Sequence, residues 1–280
     1  MIIDGKAVGE KIRLEIKEYV DKLVDKPTLA VVVVGNDYGS SKYVASKEKA
    51  CTEVGFNSIL VRLEENVSEE ELINEVNKLN LDRNVNGILI QMPLPNHIDS
   101  NKVINVIDKD KDVDGFNYYN AGALVNNDEC FAPCTPSGIM YLLQEYNVDL
   151  TGKNVVIVNR SMLVGKPLAS LMLNENATVT VCHSKTKNLP QICSKADILV
   201  CGVGIGKYFT SKYVKDGSIV IDVGINRGEN GICGDVDFDD VCDKVALITP
   251  VPKGVGPMTI AMLLSNTLKA YERQRLWNIS

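Results

Sequence analysis

With 280 residues, 45% of them hydrophobic, the chain is long enough for two domains or one large α/β domain, and its composition is that of a globular protein. A net charge of −6 with no Lys/Arg-rich block argues against nucleic-acid binding, and no apolar run reaches membrane-spanning length. Eight scattered cysteines without a CxxC pair, and only His97 and His183 as histidines, point to no metal cluster and to a reducing, cytoplasmic compartment. Residues 1–6 lack the basic and apolar regions of a signal peptide.

In chain order, residues 7–24 form an amphipathic helix, with Val8, Ile12, Ile16, Val20 and Leu23 at helical spacing. Thr28–Val34 is a continuous β-branched run, the pattern of a strand buried on both faces of a parallel sheet. A turn over residues 35–40 leads to a helix that ends near Gly55 and carries Tyr43 and Lys47 four residues apart, on one face. Such a pair is ordinary helix surface unless partners converge on it, but it lies beyond the carboxyl end of a strand, where α/β folds carry their chemistry. A strand over about 58–63 follows. Ser68 and Glu71 make a capping box for the next helix, which carries Leu72, Val76 and Leu79. Residues 87–91 form a third strand, closed by Gln91 and stopped by Pro93 and Pro95.

The charged stretch 108–116 reads as a loop and linker. Thr135 as N-cap and Pro136 at the first helical position start a helix to about Asn147 that bridges two domains. A second α/β unit begins at Gly152, with strands at 155–158, Thr178–Cys182, 198–201 and 218–222, and a last helix from about Met258 to Arg273. Strand and helix alternate throughout, so the fold class is α/β, with a doubly wound, Rossmann-like second domain.

Several polar residues stand where chemistry is expected. The turn after 155–158 lacks G-x-G-x-x-G and carries only Gly165; residues 202–206 contain part of that pattern after a later strand, which is weak support for a dinucleotide site. No carboxylate follows Thr178–Cys182, where an NAD site places one. His183, Ser184, Lys185, Thr186 and Lys187 stand there instead, and Arg160 lies in the first turn, a set that favours a ribose 2′-phosphate, with a solvated basic loop as the lesser reading. Gln91 and Asp114 sit beyond strand ends in the first half. Gln91 reads equally well as an amide serving local backbone, and Asp114-Gly115 as a turn; His97 reads as structural.

Read together, the stretches resemble one family, the bifunctional methylenetetrahydrofolate dehydrogenase/methenyltetrahydrofolate cyclohydrolases of the FolD type. They are Val34-Gly35 with Ser41-Lys42-Tyr43-Val44-Ala45-Ser46-Lys47, residues 87–95, Lys111-Asp112-Val113-Asp114-Gly115-Phe116, residues 133–138, Arg160-Ser161 with Val164-Gly165-Lys166-Pro167, Ala177-Thr178-Val179-Thr180 with His183-Ser184, Asp222-Val223-Gly224-Ile225-Asn226, Gly234-Asp235-Val236 and residues 249–252 with 254–259. The resemblance implies a catalytic folate-binding domain over 1–120 with the C-terminal helix of about 257–280, an NADP-binding domain over 140–256, a cleft between them and a homodimer. It implies NADP-dependent oxidation of 5,10-methylenetetrahydrofolate to the methenyl form, then hydrolysis to 10-formyltetrahydrofolate. A monofunctional relative, or a nucleotide-binding regulatory protein that lost the chemistry, is the alternative.

The roles implied are Lys47 for proton transfer, which requires some of the amine to be neutral near pH 7, Gln91 to orient it, Tyr43 to place folate and Asp114 to anchor the pterin. Pro252, Gly254, Gly256 and Pro257 would line the folate site. Asn159, Arg160, Ser161, Gly165, Ser184 and Ile225 would hold the cofactor, with NADP favoured over NAD. Three departures bear on that cofactor site and on the retention of both activities: Asn159 and Lys253 stand where the family carries Gly, and Asn117-Tyr118 where it carries His-Pro.

Overall fold

A computed structural model of the chain describes residues 1–35, 38–228 and 231–277; for 38–43, 276 and 277 it describes the backbone alone. Its elements in chain order are α1 (Gly5–Val20), β1 (Thr28–Val34), α2 (Tyr38–Val54), β2 (Asn57–Leu63), α3 (Glu69–Leu81), β3 (Gly87–Ile90), α4 (Ser100–Ile104), α5 (Tyr118–Asn126) and α6 (Cys134–Glu145). They continue with β4 (Asn154–Val158), α7 (Gly165–Asn174), β5 (Thr178–Cys182), α8 (Leu189–Cys193), β6 (Ile198–Cys201), β7 (Ile219–Asp222), the hairpin β8 (Asn226–Gly228) and β9 (Gly231–Cys233), α9 (Phe238–Val241), β10 (Leu247–Ile248) and α10 (Val255–Trp277). The chain divides into two compact units, one of Lys11–Ala132 with Ile260–Ser280, the other of Met1–Glu10 with Pro133–Thr259.

The first unit is built on a three-stranded parallel sheet in the order β2-β1-β3. All seven residues of the central β1 are buried, as its unbroken aliphatic run requires, while the edge strand β2 is largely half-exposed. Ala30, Val32, Ile88 and Ile90 pack with Leu72, Val76 and Leu79 of α3 and with Leu94, Ile98 and Val103. The α3 helix starts as expected, Ser68 and Glu71 capping each other's backbone amides. Residues of α10 belong to this unit through side-chain amides. Asn266 Nδ2 donates to the carbonyls of Val113 and Ala132 at 2.8 and 3.1 Å, and Gln274 Nε2 to those of Asn86 and Asp110, both at 3.0 Å.

The second unit holds a five-stranded parallel sheet in the order β10-β7-β6-β4-β5. Numbered from its own first strand this is 2-1-3-4-5, a doubly wound sheet whose order reverses between β4 and β6. Its core collects Val156, Val158, Leu199, Cys201, Val220, Phe209 and Val241.

Some sequence expectations are corrected. Residues 1–10 group with the second unit rather than with 11–120, because Ile3 N donates to Ile248 O at 2.8 Å and Ile2 bridges Ile248 in parallel, lengthening that sheet. Thr135 is not an N-cap: α6 starts at Cys134 after Pro133, and the Thr135 hydroxyl bonds that of Thr259 at 2.9 Å. The helix lies wholly within the second unit and is no bridge. The stretch after 116 is not a linker but α5, capped by Asn117, whose Oδ1 accepts from Asn120 N.

Candidate active site

Two strand-order reversals organise the polar residues. In the first unit the reversal lies between β1 and β3, and open parallel sheets bind ligands beyond the carboxyl ends of the strands at such points. Gln91 stands there, the first residue after β3, its backbone N–H held by Val32 O of β1 at 2.8 Å. The helix following β1 brings Lys47 over it: Lys47 Nζ donates to Gln91 Oε1 at 2.8 Å, and Gln91 Nε2 donates to Met92 O at 2.8 Å. With its nitrogen engaged by its neighbour's carbonyl, the amide presents oxygen to the ammonium, so its orientation is fixed by a backbone group. Tyr43 also lies on α2, but its side chain falls outside the described residues.

The motif at residues 111–114 separates into distinct tasks. Buried Lys111 donates from Nζ to the carbonyls of Leu79, Asn80 and Asp82 at 3.1, 2.8 and 2.7 Å, closing the C-terminus of α3 with a cation. Asp112, 1% exposed, accepts from Gly115 N, Asn117 N and Asn120 Nδ2 at 3.1, 2.9 and 2.9 Å, and burial pushes its pKa up to about 6. Asp114 is half-buried in the same turn. Asn117, the departure noted above, is both N-cap of α5 and a donor to Asp112.

In the second unit the reversal places the turn after β4 beside the segment after β6. Asn159 ties them together. Its Oδ1 accepts from Ser161 N and Ser161 Oγ, both at 2.8 Å, and from Gly165 N at 3.0 Å, while its Nδ2 donates to Gly202 O. Gly165 is required by this closeness, since a Cβ there would lie 2.0 Å from the Asn159 carbonyl oxygen. Arg160 projects to solvent from the middle of the turn. Ser184 is exposed beyond β5, in a tight turn in which His183 N donates to Thr186 Oγ1 at 2.9 Å and Thr186 N to His183 O at 2.8 Å. Ile225 is 55% exposed beyond β7.

The partial glycine fingerprint at 202–206 is not an open phosphate loop. The amides of Val203 and Gly204 both donate to Asp235 Oδ2, the latter at 2.9 Å, and Asn226 Nδ2 donates to Asp235 Oδ1 at 2.8 Å. Asp222 closes the network behind it. Buried at 3% exposure, it accepts from Gly224 N, Asp235 N and Val236 N at 2.9, 3.0 and 2.8 Å, and burial pushes its pKa up to about 6. Sequence reasoning assigned neither carboxylate a task, although an Asp ending an apolar strand, with a second Asp in a Gly-Asp-Val turn, was the available signal.

Residues 249–257 also lie in the second unit. Pro252 and Gly256 are exposed, Pro257 is half-buried, and Gly254 is buried with no room for a side chain, its Cβ position lying 2.4 Å from Pro250 O. Lys253 adopts φ 85°, the conformation for which glycine is the ordinary choice, and its carbonyl accepts from Lys6 N at 2.9 Å. Among the described residues no three His, Cys, Asp or Glu side chains are grouped to hold a metal, and no helix is long and apolar enough to cross a membrane.

Comparison with known proteins adds the family. The tetrahydrofolate dehydrogenase/cyclohydrolase catalytic domain matches residues 3–114, and the NAD(P)-binding domain of the same enzymes matches 133–275. The chain is 54% identical over 276 residues to the bifunctional protein FolD of Agathobacter rectalis, covering 97% of this chain and 99% of that one. The crystal structure of the bifunctional enzyme FolD from Campylobacter jejuni superposes with a TM-score of 0.96 at 47% identity, covering 98% and 99% of the two chains. That of the Trypanosoma brucei dehydrogenase-cyclohydrolase, complexed with NADP and an inhibitor, gives 0.92 at 37% identity, covering 98% and 97%. With both domain models matched in order and relatives aligned nearly end to end, the chain belongs to the tetrahydrofolate dehydrogenase/cyclohydrolase family.

Proposed function

We propose that the protein oxidises 5,10-methylenetetrahydrofolate to 5,10-methenyltetrahydrofolate with NADP+ and then hydrolyses the product to 10-formyltetrahydrofolate. The observation that carries this reading is the Lys47–Gln91 hydrogen bond at the strand-order reversal of the first unit, in a chain that matches the family over both domain models. In the hydrolytic step water adds to the methenyl carbon and gives up one proton, and as the bond from that carbon to N5 opens the remaining hydroxyl proton is lost and N5 gains one, leaving the formyl group on N10. Lys47 carries the first of these protons, and Gln91, itself held by Met92 O, keeps the amine aimed. Asp114 accepts hydrogen bonds from the pterin, and Tyr43 places the folate.

The donor set of the second unit fits a dinucleotide with a phosphorylated ribose. Arg160 and Ser184 are exposed beyond β4 and β5, adjacent strands, and residues 183–187 contain no carboxylate to repel a phosphate. NADP+ supplies the hydride acceptor, nicotinamide C4. Arg160 and Ser184 hold phosphate oxygens, and Ile225 offers apolar surface to the nicotinamide end. The protein acts as a homodimer in the cytoplasm, a setting consistent with eight cysteines that form no disulfide.

The test is turnover of purified protein with methylenetetrahydrofolate and NADP+ or NAD+, following formation and decay of the methenyl product by absorbance. Both phases are expected with NADP+, and absence of the first with either nucleotide would refute the dehydrogenase assignment. Lys47→Met should slow decay by roughly 10²–10⁴-fold, the ordinary worth of a general acid–base group, and leave NADP+ affinity as it was. Unchanged hydrolysis would remove Lys47 from the mechanism.

A further inference from the structure

Two places in the second unit where backbone amides could cradle a phosphate are filled by the protein's own oxygens. At the start of α7 the Gly165 N–H goes to Asn159 Oδ1, Val164 N to Ser161 Oγ at 3.1 Å and Lys166 N to Ser161 O at 3.1 Å, and residue 167 is proline, with no N–H to give. After β6 the Val203 and Gly204 amides go to Asp235. An Oδ1 bonded to the amide two residues on is an Asx-turn, and Arg160 is its middle residue. The same carboxamide reaches across the reversal to Gly202 O, so one side chain fixes the Arg160 backbone, the Ser161 hydroxyl and the spacing between the β4 and β6 turns.

Building on the NADP reading, we propose that Asn159 is a positioning residue for the dinucleotide: it does not bind phosphate but occupies the amide seat at α7, and phosphate recognition passes to the Arg160 side chain of the turn it holds. A side chain at this position therefore does not crowd the site. It replaces the flexibility of glycine by a turn set before the cofactor arrives, which lowers the ordering cost of binding. Because that turn carries Arg160, whose guanidinium serves the 2′-phosphate, its loss weakens NADP+ more than NAD+.

The test uses the full chain with Asn159→Gly and Asn159→Asp, and reads equilibrium Kd for NADP+ and NAD+ by calorimetry together with amide hydrogen exchange without nucleotide. Asn159→Gly is expected to raise the Kd for NADP+ about tenfold and that for NAD+ less, and to lose exchange protection at Ser161 and Gly165. Asn159→Asp, which keeps an acceptor at Oδ1, should retain that protection. A Kd for NADP+ that Asn159→Gly leaves unchanged or lowers would overturn the proposal, as would a rise with protection at Ser161 and Gly165 intact, which would mean direct contact with the phosphate. Loss of protection in both variants would also overturn it. Wild-type protein that binds NADP+ but does not turn over folate would instead refute the enzymatic reading and leave the role of Asn159 to be judged by the Kd values.

Discussion

Arg160 and Asn159 are neighbours with opposite duties. The asparagine amide spends its hydrogen bonds inside the turn, whereas the guanidinium stands exposed with no carboxylate within residues 183–187 to neutralise it. A fork of N–H donors suits a phosphate monoester, and charge-assisted bonds of this kind contribute about 1.5–3 kcal/mol each. Arg160→Ala should therefore raise the KM for NADP+ by roughly tenfold or more and change that for NAD+ little. Parallel initial-rate measurements decide it: equal rises for both nucleotides would contradict recognition of the 2′-phosphate. The same division of labour holds at residues 111–114, where Lys111 is committed to the carbonyls ending α3 and Asp112 to the start of α5, so that neither of these two side chains is available to substrate.

Among elements, α3 shows how local chemistry fixes a boundary. Ser68 Oγ accepts from Glu71 N at 3.2 Å and Glu71 Oε2 accepts from Ser68 N at 3.0 Å, so two otherwise orphaned amides are satisfied. Ser68→Ala removes half of the box and should destabilise the protein by about 1 kcal/mol, read as a lowered thermal midpoint; an unchanged midpoint would show that α3 is held by Leu72, Val76 and Leu79 alone. Such features were legible in sequence because all their partners lie within four residues, as was β1, whose burial follows from its own composition. Elements whose reasons are distant were not. The Thr135 hydroxyl looked like a cap, but its partner Thr259 is 124 residues on. The start of α5 was hidden because Asn117 stands at the end of a charged run, and its end because Asn127, in left-handed conformation at φ 60°, does what glycine was expected to do. In the site, Gln91 and Lys47 were visible as a strand end and a helix face, whereas the clasp of Asn159 on Gly202 and of Asp235 on Val203 joins strands far apart in sequence.

At the scale of the whole molecule, each unit carries a buried carboxylate with its pKa raised to about 6, Asp112 in the first and Asp222 in the second. Desolvation is the main cause in both, and the groups facing Asp222 are neutral N–H donors with Asp235 and Cys201 nearby, so no cation offsets the burial. The folded state therefore holds the proton where the unfolded chain, with a pKa near 4, has released it. Stability from this group is fully present below pH 4 and is lost as pH rises through about 6. Glu69 and Glu129, held low by Lys102 and Arg273, act in the opposite sense and are lost as pH falls, so the wild-type profile alone would mix the two. A comparison with Asp222→Asn cancels those exposed groups. The variant leaves an amide nitrogen against backbone N–H groups and should be less stable at every pH, but its deficit should shrink by roughly 2 kcal/mol between pH 4.5 and 7.5, because only the wild type bears the growing cost of an ionised buried carboxylate. Thermal midpoints of both proteins across that range test it: a deficit that is constant, or that widens with pH, would mean that Asp222 is ionised throughout and that its three amide donors outweigh its burial.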